Sequence, residues 1–117
     1  MVTGGGLTPT TPMWESQFDR DALRIIVTEA ERFGLPVAAH CHGNHGVDDA
    51  LDAGVHTIEH CTFLSERGVC EPSPGAVQRI AASGVFVSAA MGLLSGAELP
   101  PLIARNRPAI RELLVCA

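Results

Sequence analysis

A helical stretch that ends at a glycine and runs into a short apolar segment occurs three times along this chain. The glycines are Gly34, Gly54 and Gly84, and the β-prone segments after them are residues 37–41, 55–60 and 85–89. Glycine at a helix end accepts the left-handed conformation that terminates the helix. Strands that alternate with helices pair in parallel through right-handed crossovers, and short apolar strands suit a sheet covered by helices. The repeat therefore predicts an α/β fold with a parallel sheet.

Four helices are predicted from apolar spacing and from start signals. The first begins after Asp19, a good N-cap residue, and its apolar positions, Ile26 among them, recur at helical spacing. The others are expected at about residues 47–53, from Ser73 onward with Pro74 in the first turn, and after Pro108. With 46% hydrophobic residues among 117, the chain forms one small domain over residues 1–117.

Charge and composition argue against several classes of partner. The chain has 8 basic and 13 acidic side chains, a formal net charge of −5, which gives no electrostatic reason to bind nucleic acid or an anionic membrane. No stretch approaches the roughly 20 apolar residues that span a bilayer, and the N-terminus lacks the pattern of a secretory signal. The 4 cysteines include no CxxC pair and do not resemble a disulfide framework. These features predict a cytoplasmic protein.

Histidines stand at the ends of two successive predicted strands. Strand alternation puts His40 and His42 on one face, and His60 ends the next strand. Neighbouring parallel strands lie about 4.8 Å apart, so His40 and His60 are expected side by side. Ligands of parallel α/β sheets bind at the carboxyl ends of the strands, and neutral imidazoles are ligands for zinc. We therefore expect His40 and His60 to bind a divalent metal ion, with zinc favoured.

A structural role for each histidine is the alternative, because a single buried histidine is usually hydrogen-bonded to a backbone carbonyl. His42 is open to three interpretations: a ligand, a substrate contact, or a residue at the rim. His45 is expected in solvent and His56 low on its strand in a structural role. Alternation predicts Glu59 on the face opposite His60, near the helices. Two cysteines that directly follow histidines, Cys41 and Cys61, are expected to pack away from the site rather than act as nucleophiles.

Three blocks of the sequence together resemble consecutive blocks of the amidohydrolase superfamily, in its prolidase and imidazolonepropionase-like branch. They are Met1-Val2-Thr3-Gly4-Gly5-Gly6, Pro36-Val37-Ala38-Ala39-His40-Cys41-His42-Gly43 and Ala53-Gly54-Val55-His56-Thr57-Ile58-Glu59-His60. The resemblance covers nearly the whole chain. It implies a fragment of a (β/α)8 TIM barrel, about strands 4 to 7 with their helices, and a metal centre that is usually zinc.

The resemblance also assigns roles to the histidines. His40 matches the metal ligand of the fifth strand, His60 that of the sixth, and His42 a substrate-binding position. No HxH pair of a first strand, no lysine and no aspartate of an eighth strand are found in this sequence. The resemblance therefore implies a metal-dependent enzyme that hydrolyses C–N bonds of amides, dipeptides or cyclic amides, with no catalytic residue of its own in this chain.

A complete barrel needs about 250 residues, which is more than twice the length of this chain. We therefore expect the isolated chain to be inactive and to self-associate through unpaired strand edges. The small-molecule substrate is expected to belong to the intact parent protein. The alternative to the hydrolase is a small non-catalytic α/β metal-binding or interaction module.

Overall fold

Helices and strands alternate through the part of the chain that the computed structural model describes, residues 1–89, 98–99 and 101–116. The elements are α1 (Arg20–Arg32), β1 (Ala38–Cys41), α2 (Asn44–Ala53), β2 (Thr57–His60), α3 (Ala76–Ser83), β3 (Phe86–Ser88) and α4 (Pro101–Cys116). The three strands form one parallel sheet in the order β1-β2-β3. This confirms the α/β class predicted from the repeat.

The glycines end the helices as the sequence predicts. Gly54 and Gly84 lie at the C-terminal ends of α2 and α3 with φ of 81° and 75°, and Gly34, just after α1, has a φ of 66°. A side chain in this left-handed region would be strained, which is why glycine occupies these positions. At the other end of α1, the Asp19 side chain accepts a hydrogen bond from the Ala22 N–H, so the predicted N-cap is confirmed.

One face of the sheet is packed against helices, and the other is open. Ala39, Cys41 and Ile58 alternate toward the helices and are buried in the main core. The residues between them form two rows across the open face, because parallel register pairs place side chains on the same face. The rows are Ala38–Thr57–Phe86 and His40–Glu59–Ser88. Phe86 is 76% exposed there, so this is the face that lines the interior of a complete barrel.

Residues 2 and 3 lie beside the end of β1 and bond to its backbone. The N–H groups of Val2 and Thr3 donate to the His40 carbonyl oxygen at 2.9 and 3.2 Å. Both residues are buried, Val2 within the main core. These two bonds place the backbone of residues 2 and 3 beside the end of β1, on the side away from β2.

The start positions of three helices differ from the sequence-based predictions. α2 begins at Asn44 rather than near residue 47. Gly46 therefore lies inside the helix, where it packs on the Thr3 side chain. α3 begins at Ala76, after a turn in which the Ser73 carbonyl accepts from the Ala76 N–H. α4 begins at Pro101, seven residues before the predicted start, and Pro108 lies inside it. Pro101 opens the first turn of α4, a position that proline tolerates because the N–H it lacks has no partner within the helix there.

The exposure of one α1 residue corrects the expected core. Ile26, predicted on the buried face of this helix, is 44% exposed, whereas Leu23 and Val27 are buried. The buried stripe of α1 is therefore narrower than its apolar spacing predicts. No helix in the described ranges is long and apolar enough to cross a membrane.

Candidate metal centre

The end of β1 presents two histidines by ordinary strand alternation. His40 lies on the open face of the sheet, and His42 comes two residues later, only 4% exposed. The His42 backbone N–H donates to the Thr3 hydroxyl at 2.8 Å, and its ring Nδ1 lies 3.0 Å from the Thr62 hydroxyl. These contacts fix both the backbone and the ring of His42.

At the end of β2, a main-chain turn rather than strand alternation directs His60 to the open face. In the parallel register His60 pairs with Cys41, which is fully buried toward the helices, so regular alternation would send the His60 ring into the core. His60 instead has a φ of 70°, and the Glu59 carbonyl accepts a hydrogen bond from the Cys61 N–H at 3.0 Å. A bond between residues i and i+2 around a positive φ is a γ-turn, a rare and strained conformation. This turn rotates the His60 side chain to the open face.

The three imidazole rings form a nearly equilateral triangle. The ring centroids of His40 and His42 are 4.8 Å apart, and each is 4.7 Å from the centroid of His60. The His42 and His60 rings are stacked with an interplanar angle of 13°, while His40 meets both edge-on. One ring nitrogen from each residue lies within 4.8 Å of the other two. The structure thus brings together all three histidines singled out in the sequence.

The environment keeps these imidazoles neutral. Burial, followed by the neighbouring His60 and His40, lowers the pKa of His42 to about 3. Burial is also the main cause that lowers the pKa values of His40 and His60 below their ordinary value. Neutral imidazole is the form that ligates a metal ion, so the cluster is in its ligating form at neutral pH.

An unpartnered nitrogen supports the fit of this cluster to a divalent cation. The Nδ1 atom of His40 is buried and has no hydrogen-bond partner of acceptable geometry among the described residues. A buried polar atom without a partner is costly, and a metal ion would satisfy it. Zinc–nitrogen bonds of about 2.0–2.1 Å in a tetrahedron place the nitrogens roughly 3.4 Å apart, so small side-chain movements would complete the set.

Glu59 corrects the prediction that it lies opposite His60, near the helices. It pairs with His40 in the sheet register and shares the open face with it, because the γ-turn moves His60 rather than Glu59 out of alternation. Hydrogen bonds from the Ser88 side chain and the Thr57 hydroxyl, the latter at 2.9 Å, hold the pKa of Glu59 below its ordinary value. A carboxylate therefore stands on the same face as the histidine triangle.

The two cysteines after the histidines pack away from the site, as expected. Cys41 and Cys61 are both buried in the main core, and burial raises the pKa of each thiol to about 12. A thiol that stays protonated is a poor nucleophile, which agrees with a packing role. His45 is exposed, as expected. His56 is also exposed, and its Nδ1 accepts a hydrogen bond from the Val37 N–H at 3.1 Å, so it has the structural role predicted for it.

A cavity of about 340 Å³ lies over the histidine triangle. Its described wall is apolar apart from the histidines and two threonines, and no Asp, Glu or Arg lines the part that the structure describes. The lining side chains include Leu7, Met13, Leu99, Ile103 and Ile110. An apolar wall with a few convergent polar groups is typical of a small-molecule site.

The glycine-rich segment and the excursion after it form one wall of this site through close backbone contacts. A Cβ atom on Gly4 would lie 2.1 Å from the Pro12 carbonyl oxygen, and one on Gly43 would lie 2.2 Å from that of Trp14. Glycine at these two positions therefore allows the segment of residues 12–14 to lie directly against the end of β1.

Three supporting residues were missed in the sequence. Thr3 and Thr62 hold His42, and the Asn44 side chain bonds the backbone of Phe63, Glu71 and Ser73. Asn44 carried a usable signal, since asparagine favours helix N-termini. The threonines carried none, because their partners lie 39 and 20 residues away.

Comparisons with known proteins agree with this geometry. The sequence pattern of the amidohydrolase family matches residues 2–114. Ochratoxinase from Aspergillus niger is 35% identical over 66 residues, which are 56% of this chain and 14% of that protein. The matched stretch is therefore a small part of the length of that relative.

Solved structures show the same fold. A crystal structure of A. niger ochratoxinase aligns with a TM-score of 0.66 at 24% identity, covering 99% of this chain and 24% of that one. A Xaa-Pro dipeptidase with bound methionine aligns with a TM-score of 0.71 at 24% identity, covering 99% and 30%. A prolidase complexed with N-methylphosphonate-L-proline aligns with a TM-score of 0.64 at 25% identity, covering 96% and 27%. From the family match over residues 2–114, the chain belongs to the amidohydrolase family.

Proposed function

We propose that this chain supplies a divalent-metal centre, with zinc as the metal, to an enzyme that hydrolyses C–N bonds. The observation that carries the proposal is the convergence of three neutral imidazoles, those of His40, His42 and His60, at the carboxyl ends of adjacent parallel strands. Barrels of this type gather their chemistry at that end. Membership of the amidohydrolase family supports the same reaction class.

The residues of this chain have separate tasks in that reaction. A bound divalent metal polarises a carbonyl oxygen and lowers the pKa of bound water toward about 7. His40 and His60 hold the ion, and the Thr62 hydroxyl orients the His42 ring beside them. The apolar wall of the cavity excludes bulk water and suits an uncharged group of the substrate.

His42 is proposed as the third ligand rather than as a substrate contact. Its ring is as close to the other two rings as they are to each other. A ligating histidine usually bonds a supporting polar group through its other nitrogen, and the Nδ1 of His42 faces the Thr62 hydroxyl in this way. Three protein ligands are also the usual number in catalytic zinc sites.

Zinc titration of the purified 117-residue chain tests the centre. We expect one equivalent of Zn²⁺ to bind, measured by competition with a chromophoric chelator, and His40→Ala and His60→Ala each to weaken binding by at least about tenfold. His45→Ala is the matched control, since His45 is exposed and outside the triangle. Equal affinity of all four proteins would refute the metal centre.

The same titration distinguishes the two roles of His42. If it is a ligand, His42→Ala weakens Zn²⁺ binding, and the visible spectrum of the Co²⁺-loaded protein changes in intensity with ligand number. Wild-type zinc affinity and an unchanged Co²⁺ spectrum in His42→Ala would return His42 to the substrate-binding role.

The substrate and the behaviour of the isolated chain are part of the same proposal. A dipeptide, amide or cyclic amide is the proposed substrate of the intact parent, since a Xaa-Pro dipeptidase and a prolidase share the fold. The chain alone is expected to give no turnover, because it has no lysine and lacks the family's aspartate. Self-association through the free strand edges is expected as well and is measured by light scattering. Metal-dependent hydrolysis of a dipeptide by the chain alone would contradict the first expectation.

The non-catalytic metal-binding module is the second candidate because this chain alone brings three possible ligands together. Tight Zn²⁺ binding by a stable, folded monomer would favour it. Zinc that is bound weakly by an associating chain would favour the hydrolase fragment.

A further inference from the structure

We propose that Glu59 is a positioning residue of the metal centre: an outer carboxylate that compensates the charge of the bound cation without ligating it. The inference rests on the proposed function and deepens it. It starts from the place of Glu59 in the sheet, where it lies between His40 of β1 and Ser88 of β3 in one register row. All three side chains project from the open face, so the carboxylate stands one strand away from His40.

The carboxylate is held in place by its neighbours on that face. The Thr57 hydroxyl, two residues back on the same strand, donates to Glu59 Oε1 at 2.9 Å, and Ser88 is the register neighbour of Glu59 on the next strand. Neither Glu59 oxygen is paired with an Arg side chain in the described part of the chain. A carboxylate that is held by a hydroxyl donor and not by a cationic side chain keeps its charge available to a nearby cation.

The centre needs such a charge. Three neutral imidazoles contribute no negative charge, so a divalent ion in the triangle would keep a net charge of 2+. The cavity above it is lined by apolar groups and, in its described part, by no acidic residue. A partly desolvated cation gains more from a carboxylate on the same face than it would in water. Glu59 is the acidic side chain that the register places on that face.

The backbone of Glu59 adds a second link to the same centre. Its carbonyl oxygen accepts the Cys61 N–H across the γ-turn that carries His60. The residue that holds the counter-charge is therefore also the first residue of the turn that presents a ligand. Glu59 is also paired in register with Ser88 of β3, so its backbone lies inside the sheet at the start of this turn.

Zinc affinity of the Glu59→Gln variant tests the proposal. Glutamine keeps the size of the side chain and an oxygen that accepts the Thr57 hydrogen bond, but it removes the charge. We expect about tenfold weaker Zn²⁺ binding, an unchanged shape of the Co²⁺ spectrum, and less dependence of affinity on NaCl concentration than in wild type. A purely structural role would not change the salt dependence. Glu59→Asp, which restores the charge, is expected to recover part of the affinity.

Matched variants keep the test decisive. Asp49→Asn removes a carboxylate of α2 that is partly buried, paired with Arg20 and outside the histidine triangle, so it is expected to leave zinc affinity unchanged. Thr57→Val keeps the Glu59 charge but removes the hydroxyl that holds it, so a weakening of roughly twofold to threefold is expected, and this variant serves if Glu59→Gln does not fold. Wild-type affinity and salt dependence in both Glu59→Gln and Thr57→Val would overturn the role of Glu59. If His40→Ala also bound zinc like wild type, the metal centre itself would fail, so the two failures are distinct.

Discussion

The ends of β1 and β2 deliver histidines to the same point by different means. At β1 the strand simply alternates, and the Thr3 hydroxyl and the close backbone contact at Gly43 hold the residues after the strand. At the end of β2 the backbone adopts positive φ angles, 70° at His60 and 48° at Cys61, which residues other than glycine rarely adopt. The first arrangement depends on side-chain packing across the chain, and the second depends on a local main-chain turn. Two histidines of one cluster are therefore positioned differently, one by the alternation of its strand and the other by a strained main-chain turn.

A substitution that breaks the turn at the end of β2 should cause the largest loss of stability and of zinc binding. Cys61→Pro removes the N–H that bonds Glu59 and Cys41, and proline cannot adopt the φ of 48° found there. We expect a loss of about 3 kcal/mol or more in unfolding free energy, and no zinc binding. Urea unfolding and chelator competition measure both. Cys61→Ala, which keeps the N–H, is the control, and identical behaviour of the two variants would show that the turn is dispensable.

Low pH should lower the unfolding free energy mainly through His42, the most deeply buried of the three histidines, just after β1. The folded-state pKa of His42 is about 3, below the ordinary value of about 6.5, so folding favours the neutral ring. The contribution of His42 is complete above about pH 6.5 and is lost as the pH falls from there toward 3, at about 1.4 kcal/mol per pH unit. Urea unfolding with EDTA across this range measures the slope. His42→Gln should flatten the slope, and an equal slope in that variant would contradict the prediction.

Removal of the Thr3 hydroxyl, which supports the end of β1, should cause an intermediate loss of stability. Thr3→Val keeps the shape of a fully buried residue but leaves the His42 N–H without its acceptor. We expect a loss of roughly 1–3 kcal/mol in unfolding free energy. Thr10→Val, at an exposed threonine, is the control and should change little. A Thr3→Val protein as stable as the control would show that the end of β1 needs no side-chain support.

The smallest effect is expected at the start of β2, far from the turn. His56→Ala removes the acceptor of the exposed Val37 N–H, which water can replace. We expect a loss of about 0.5–1 kcal/mol in unfolding free energy and unchanged zinc affinity. Comparison with His45→Ala by thermal unfolding and zinc titration checks this. A marked loss of zinc affinity in His56→Ala would mean that the two ends of β2 are coupled.

The sequence predicted those features that depend on periodicity and on chain-terminating residues. Parallel strands, the Asp19 N-cap and the glycine helix ends arise from local chemistry, and the placement of His40 and His42 arises from alternation. Glu59 was predicted on the wrong face because a period of two assumes a regular strand through residue 60. Nothing in the sequence marks His60 or Cys61 for a left-handed backbone, since neither is glycine. The start of α4 was missed because either of two prolines suits a first turn.

An all-imidazole triangle would also influence which metal ion the proposed centre binds. The affinity of nitrogen donors of this kind for divalent ions follows the Irving–Williams order, so Cu²⁺ and Ni²⁺ would compete with Zn²⁺ for the same three rings. The histidine cluster would then take up whichever of these ions is most abundant during expression or on a nickel affinity column. The metal content of purified protein would therefore reflect which ions were available as much as which ion the site prefers. Titrations should begin from protein that has been stripped of metal with a chelator.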